Sequence, residues 1–239
     1  MLLEISNQYK SPNFDNRRKK TKIKYIIIHY TETTNLESAL QILCDPKKKV
    51  SCHFVIDLDG TIYRLVDESQ NAWHAGISCW KKDTNLNEIS LGIEVVNNGN
   101  TKFNTVQVEY LIKLLKKLTK DFDINFFDIL GHSDIAPTRK IDPGIFFPWD
   151  KLWNYKLGLP VKNIKTKKYI NLNEKQLILF LRNLKKIGFS QINLSKKDSQ
   201  INGFIIDSFH RHFFIKQLGS KPNNISLRIA DFLVSNLQK

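Results

Sequence analysis

Cysteine is scarce in this 239-residue sequence, which has only Cys44, Cys52 and Cys79. The three are irregularly spaced, and no two of them form a Cys-x-x-Cys pair. An odd, irregular set of this kind argues against a disulfide framework and against a zinc site built from thiolates. We therefore expect all three to be small, buried, apolar side chains.

Long apolar runs are also missing. No stretch of 18 apolar residues occurs, so the sequence predicts no membrane-spanning helix. The first 20 residues contain neither an apolar stretch of signal-peptide length nor a small-residue cleavage site. Three interpretations follow: a cytosolic protein, export by another route, or a chain shown without its leader.

Acidic residues are few compared with basic ones, 23 against 37, which gives a formal net charge of +14. Such an excess attracts polyanions, among them nucleic acids, anionic membranes and acidic cell-wall polymers. A lysine-rich solvated surface explains the charge equally well. No zinc finger or RNA-recognition motif accompanies it, so the sequence predicts no nucleic-acid partner.

Apolar patterning predicts strands that alternate with helices and hence an α/β fold. Short apolar, β-branched runs predict strands at 23–30 and 89–96. The segment 53–67 is typical of a hairpin that turns at an Asp-Gly pair. Helical spacing predicts helices at 36–44 and 105–120.

The two ends of the chain differ in character from this region. Residues 1–22 are polar and predict an extended lead-in before a domain at 23–157. The basic, Gly- and Pro-containing stretch 158–170 predicts a linker. A small three-helix domain is then expected at 171–239, with helices at 173–187, 198–215 and 225–237 and with Asn173 and Ser226 as N-caps.

Two histidines stand where apolar segments end. His29 closes the first predicted strand, and His132 opens a long, proline-containing loop that also carries Asp142. Two imidazoles and one carboxylate form a known catalytic zinc set that leaves a fourth position for water. Glu94 lies within a strand of apolar neighbours, where a charge needs a reason. Because such residues co-occur in most proteins of this size, their spacing alone leaves the metal site a hypothesis.

Five segments between residues 23 and 155 form an ordered set of motifs: IIIHYTET (26–33), CHFVIDLDGTIYRLV (52–66), AWHAGIS (72–78), SLGIEVVN (90–97) and GHSDIAPTRKIDPGIFFPW (131–149). In this order they resemble the zinc-dependent N-acetylmuramoyl-L-alanine amidase family, which includes the peptidoglycan recognition proteins. The combination of AWHAG with GHSDIAPTRKIDPG is the specific part. An aspartate as third ligand is similar to the anhydro-muropeptide and broad-specificity bacterial branches, since the phage and animal branches tend to use cysteine.

The resemblance implies a central mixed β-sheet flanked by helices, with one Zn²⁺ per chain bound by His29, His132 and Asp142. It also implies that Glu94 and Lys140 assist hydrolysis of the bond between N-acetylmuramic acid and L-alanine. The substrate would be peptidoglycan or muropeptides, with or without a 1,6-anhydro sugar. A non-catalytic wall-binding protein on the same fold is the alternative. It is disfavoured because all three ligands and the glutamate are present.

Substrate contacts are expected at four further positions: Trp73, His74, Asn97 and Arg139. A histidine packed beside Trp73 is the alternative for His74, and a solvated arginine is the alternative for Arg139. We expect His53 to be structural or to support a zinc ligand. His210 and His212 lie on different faces of a predicted helix and are not expected to form a metal pair.

The C-terminal helices resemble loosely the peptidoglycan-binding module of one branch of the family, and a generic stabilising bundle is the alternative. A monomer is expected. The resemblance favours the cell envelope or periplasm, whereas the missing leader favours the cytoplasm.

Overall fold

The computed structural model describes residues 3–160, 164 and 168–237, so that 161–163 and 165–167 of the predicted linker lie outside the described residues. The strands are β1 (Phe14–Asn16), β2 (Tyr25–Tyr30), β3 (Phe54–Ile56), β4 (Ile62–Arg64), β5 (Gln70–Ala72), β6 (Cys79–Trp80), β7 (Asp83–Thr84), β8 (Ser90–Val95) and β9 (Ile129–Gly131). The helices are α1 (Leu36–Leu43), α2 (Leu86–Ile89), α3 (Thr105–Asp121), α4 (His132–Ile135), α5 (Trp149–Asn154), α6 (Glu174–Ile187), α7 (Gln200–Phe213) and α8 (Asn224–Leu237).

A five-stranded sheet lies at the centre, in the order β4-β3-β8-β2-β9. Strands β3, β8, β2 and β9 run parallel to one another, and β4 is antiparallel to β3, so the predicted mixed sheet is confirmed. Strand β2 is rich in isoleucine and buried on both faces, as is typical of a central parallel strand. The carboxyl ends of the parallel strands meet at one edge.

The two faces of the sheet bury different clusters. On the back face, Ile26 and Ile28 of β2 and Leu91 and Ile93 of β8 pack against helix α3. Gln107 ties the start of α3 to the sheet, since its Oε1 accepts from Asn104 N at 3.1 Å and its Nε2 donates to Val96 O at 2.8 Å.

On the front face, Tyr25 and Ile27 form one apolar cluster with side chains of the C-terminal helices, among them Phe180 and Phe209. Fully burying a phenylalanine contributes about 1.5–3 kcal/mol, so this contact holds the helices firmly to the sheet. The division into a catalytic domain at 23–157, a linker and a helical domain stays a prediction.

The three predicted C-terminal helices are confirmed, as is one of their two predicted caps. Asn173 Oδ1 accepts from Gln176 N at 3.0 Å and caps α6. The prediction for Ser226 is wrong, because Asn223 caps α8: its Oδ1 accepts from Ile225 N and Ser226 N, at 2.9 and 3.1 Å.

The lead-in and the loop after His132 contain more structure than expected. Strand β1 pairs with β5, and the Arg17 guanidinium donates to the carbonyls of Glu68, Asn87, Glu88 and Ser90. The predicted loop, residues 132–149, instead begins with the short helix α4, and α5 starts at its last residue.

The cysteine prediction is right only for one residue. Cys52 is buried, whereas Cys44 and Cys79 are half-buried. None of the helices described between residues 3 and 237 is long and apolar enough to cross a membrane.

Candidate active site

The three predicted zinc ligands meet at the carboxyl edge of the sheet. His29 is the penultimate residue of β2, His132 follows β9 directly, and Asp142 lies in the segment after α4. His29 Nδ1 lies 2.8 Å and His132 Nδ1 lies 3.1 Å from the same carboxylate oxygen, Asp142 Oδ2. All three side chains are buried, and one donor atom from each lies within 4.8 Å of the others.

The hydrogen bonds of His132 determine which of its ring nitrogens bears the proton. Its Nε2 lies 3.2 Å from the carbonyl oxygen of Ala75, which can only accept. Arg139 Nη2, which can only donate, lies farther away, 3.4 Å from the same nitrogen. We assign the ring proton to Nε2 because the contact with Ala75 O is the shorter of the two, and this leaves Nδ1 available as a ligand.

A chain of hydrogen bonds gives the same result for His29. Ser90 Oγ donates its single proton to Leu86 O at 2.5 Å, so it must accept from His74 Nε2 at 3.2 Å. The neutral His74 ring then accepts at Nδ1, which lies 3.1 Å from His29 Nε2. His29 therefore bears its proton on Nε2, which leaves its Nδ1 available as a ligand as well.

Charge reinforces this arrangement. Burial, with His132 close by, lowers the pKa of His29 to about 4 and keeps the ring neutral. Two imidazoles and a carboxylate thus converge, and with the ring protons on Nε2 both Nδ1 atoms are available as ligands, a donor set that fits a divalent cation such as zinc.

Glu94 lies beside this set because it pairs with His29 in the register of β8 and β2. Its side chain is directed to the front face, and its Oε2 has no hydrogen-bond partner among the described residues. Burial, reinforced by Asp142 and only partly opposed by Lys140, raises the pKa of Glu94 well above its ordinary value. A carboxyl group in this state is suited to accept and return a proton near neutral pH.

The four groups open into a cleft of about 560 Å³ whose lining is of two kinds. Apolar side chains come from α1 and the segment after it: Ala39, Ile42, Leu43 and Val50. Charged side chains come from Arg139 and Lys140, with Glu32 as an additional acidic residue. Such a cleft can contact both apolar and anionic parts of a ligand.

Two of the four predicted substrate-contact residues line the cleft, and the other two do not. Arg139 lines the cleft, and its guanidinium is anchored by donating to the carbonyls of Ala75 and Ile77. His74 also reaches the cleft, but both its ring nitrogens are engaged in the hydrogen-bond chain described above.

Trp73 and Asn97 are engaged elsewhere. Trp73 Nε1 donates to Asp15 Oδ2 at 2.7 Å, in the N-terminal segment. Asn97 holds the loop after β8, with its Oδ1 accepting from Gly99 N at 2.7 Å. His53 supports the sheet beneath the site, since its Nδ1 accepts from Gly92 N at 3.0 Å.

Two residues that shape the site were not anticipated. Ser90 ends the hydrogen-bond chain, and Gly92 makes room for the His74 ring, whose Cδ2 and Nδ1 lie 2.7 Å from where a Cβ on residue 92 would stand. The sequence did hold a signal for them, because alternation along β8 places Ser90, Gly92 and Glu94 on one face.

Comparison with known proteins agrees with this geometry. Residues 19–145 match the family model described as N-acetylmuramoyl-L-alanine amidase. The chain is 38% identical over 153 residues to the Escherichia coli amidase AmiD, an alignment covering 57% of this chain and 54% of the relative. It is 31% identical over 174 residues to the 1,6-anhydro-N-acetylmuramyl-L-alanine amidase AmpD of Haemophilus influenzae, covering 63% of this chain and 91% of that protein.

A solved structure extends the similarity beyond the matched region. It is the E. coli amidase AmiD in complex with anhydro-N-acetylmuramic acid-L-Ala-D-γ-Glu-L-Lys, which superposes with a TM-score of 0.79 at 26% identity. The match covers 94% of this chain and 98% of the other, so it includes the C-terminal helices. The family model covers more than half of the chain, and the chain therefore belongs to the N-acetylmuramoyl-L-alanine amidase family.

Proposed function

We propose that this chain is a zinc-dependent amidase that hydrolyses the bond between N-acetylmuramic acid and L-alanine. The observation that carries the proposal is the convergence of His29, His132 and Asp142 next to Glu94, whose Oε2 has no hydrogen-bond partner among the described residues. The substrate-bound AmiD structure, similar over nearly the whole chain, supports the choice of reaction.

The two histidines and the aspartate would hold the zinc ion. When bound, it supplies a Lewis acid that polarises the amide carbonyl and makes water nucleophilic near pH 7. His74 and Ala75 O, which fix the protons of His29 and His132 on Nε2, keep both Nδ1 atoms free for this role.

Glu94 and Lys140 would move the proton and stabilise charge. The Glu94 carboxylate accepts a proton from the attacking water and returns it to the alanine nitrogen as the C–N bond breaks. The Lys140 cation lines the same cleft and lies close enough to Glu94 to affect its pKa, so it can stabilise the developing oxyanion.

The cationic residues of the cleft can orient the stem peptide. Stem peptides carry free carboxylates, and Arg139, fixed by the carbonyls of Ala75 and Ile77, contributes its positive charge to the lining of the cleft. The relatives named for 1,6-anhydro-muropeptides and the anhydro ligand of the AmiD structure support soluble anhydro-muropeptides as the substrate class.

We propose that the enzyme acts on wall material as a monomer in the bacterial envelope or periplasm, with the cytoplasm as the alternative. The C-terminal helices would contribute peptidoglycan binding. The net charge of +14 favours encounter with anionic wall fragments.

The test is incubation with muropeptides bearing either an anhydro or a reducing sugar, with and without a chelator, followed by mass spectrometry. We expect chelator-sensitive release of the stem peptide. Glu94→Gln should lower kcat at least about 100-fold while zinc remains bound, because it removes the proton acceptor but no ligand. Glu32→Gln, the same change on an exposed residue of the cleft, is the matched control.

Each result has a distinct meaning. Near-normal turnover in Glu94→Gln would refute the role of Glu94. A wild-type protein that binds wall material but contains no zinc and cleaves no substrate would favour the non-catalytic alternative.

A further inference from the structure

Helix α4 is only four residues long, yet it positions two of the three proposed zinc ligands. His132 is its first residue, and the backbone N–H of Ser133 donates to Asp142 O at 2.9 Å. So short a helix has few internal hydrogen bonds with which to hold its shape. Its orientation therefore depends on what contacts its other side.

That other side is held by helix α7 of the C-terminal bundle. Ser208 Oγ donates to Ser133 O at 2.8 Å, and His212 Nδ1 lies 2.9 Å from Asp134 Oδ2. Residues 208 and 212 are one helical turn apart and share a face of α7. The same Asp134 oxygen accepts from Gly131 N at 2.8 Å, which closes the turn around His132.

The surroundings of His212 indicate that this contact is its main polar interaction. Its side chain is buried, its ring is stacked on Trp149 with centroids 3.8 Å apart, and its Nε2 has no partner among the described residues. An apolar aromatic side chain would stack on Trp149 equally well. What an imidazole adds is one charge-assisted hydrogen bond to Asp134.

We propose that Ser208 and His212 are positioning residues for the metal centre: through Asp134 and Ser133 they hold α4 in the orientation that directs His132 and Asp142 at zinc. The inference rests on the proposed zinc-dependent activity. It makes helix α7 part of the active-site scaffold in addition to any role in wall binding.

Full-length variants test this by zinc affinity, measured by competition with a chromophoric chelator, and by kinetics at saturating zinc. His212→Phe keeps the stacking but loses the donor, and we expect zinc affinity to fall about 10- to 100-fold with kcat reduced and KM for muropeptide nearly unchanged. His212→Asn, whose amide can donate from nearly the position of Nδ1, should restore most of the affinity.

His210→Phe is the matched control. His210 is equally buried on the same helix, but its Nε2 contacts Ser226 Oγ, 2.9 Å away in α8, and not α4. This variant should lose stability in urea but retain zinc affinity and kcat. Ser208→Ala removes a single hydroxyl and provides a folded test, with a smaller loss of zinc affinity, if His212→Phe does not fold.

Two outcomes would overturn the inference: zinc binding by His212→Phe and Ser208→Ala that matches wild type, or an equal loss of affinity in His210→Phe. The first would leave the zinc site independent of α7, and the second would reduce the effect to general destabilisation. Failure of wild type itself to bind zinc would instead contradict the proposed function.

Discussion

Gly92→Ala should disable the zinc site without changing any ligand. A Cβ on residue 92 would stand 2.7 Å from both Cδ2 and Nδ1 of His74 and would collide with its Cγ, whereas ordinary contacts begin at 3.4 Å. Because Cγ is the nearest ring atom, the ring must move by at least about 1 Å to restore ordinary contacts. His74 is 5% exposed, so it has little free space into which to move.

The shift breaks the chain of hydrogen bonds that sets the His29 tautomer. The contacts of His74 to His29 and Ser90 are already 3.1 and 3.2 Å long, and a shift of this size takes them beyond hydrogen-bonding distance. Two lost hydrogen bonds at about 1 kcal/mol each and overpacking of about 1–3 kcal/mol give a destabilisation of about 3–5 kcal/mol. Zinc affinity should fall about 10- to 100-fold, as for other losses of support to a ligand.

Urea unfolding of the zinc-free protein and competition with a chromophoric chelator measure the two effects. Gly203→Ala is the control, because a Cβ there meets nothing within 4 Å and the residue lies within α7. It should leave zinc affinity unchanged and add about 0.4–1 kcal/mol of stability.

In Gly92→Ala combined with His74→Ala, the collision is relieved but the support of His29 is still missing, so stability should recover more than zinc affinity. Wild-type zinc affinity in Gly92→Ala would refute the reasoning.

Three further outcomes are expected. Arg17→Ala leaves four carbonyls without their donor and should lower the free energy of unfolding in urea by about 2–4 kcal/mol. Arg18→Ala, the same change at an exposed neighbour, should alter it by less than about 0.5 kcal/mol. Burial lowers the pKa of His210 to about 4 from 6.5, so the unfolded state binds a proton that the folded state does not. The free energy of unfolding should therefore fall by about 3 kcal/mol as pH drops from 6.5 to 4. His210→Phe should flatten this pH dependence in urea titrations at several pH values, and an unchanged slope would contradict the reasoning. Binding to isolated cell wall should weaken as NaCl rises through 0.1 M, where the screening length is about 10 Å, and salt-independent pull-down would argue against a role for the net charge.

The central elements could be predicted from the sequence because each has a strong local pattern. The isoleucines of β2 and the apolar face of α3 are of this kind, and the resemblance then supplied His29, His132 and Asp142 as a set. Local pattern fails for short elements. Strand β1 and helix α4 have three and four residues, too few for a period to show.

Contacts between distant segments were beyond local pattern altogether. His212 is separated from Asp134 by 78 residues, and nothing near either residue indicates the other. His74 illustrates a different limit. Its place in the AWHAG motif indicated a functional position, but only the arrangement of Ser90, Leu86 and His29 around its ring identifies it as the support of a ligand.

The contact between α4 and α7 also bears on the order of events during synthesis. The metal-binding set joins residues 113 apart in sequence, so it cannot assemble before residue 142 has left the ribosome. Helix α7, which supports the position of His132 through α4, is completed about 70 residues later in synthesis, since it ends at Phe213. Domains fold as they emerge, N-terminal parts first. A nascent chain arrested before α7 should therefore bind zinc weakly, and the enzyme would gain its full competence only when translation is nearly complete.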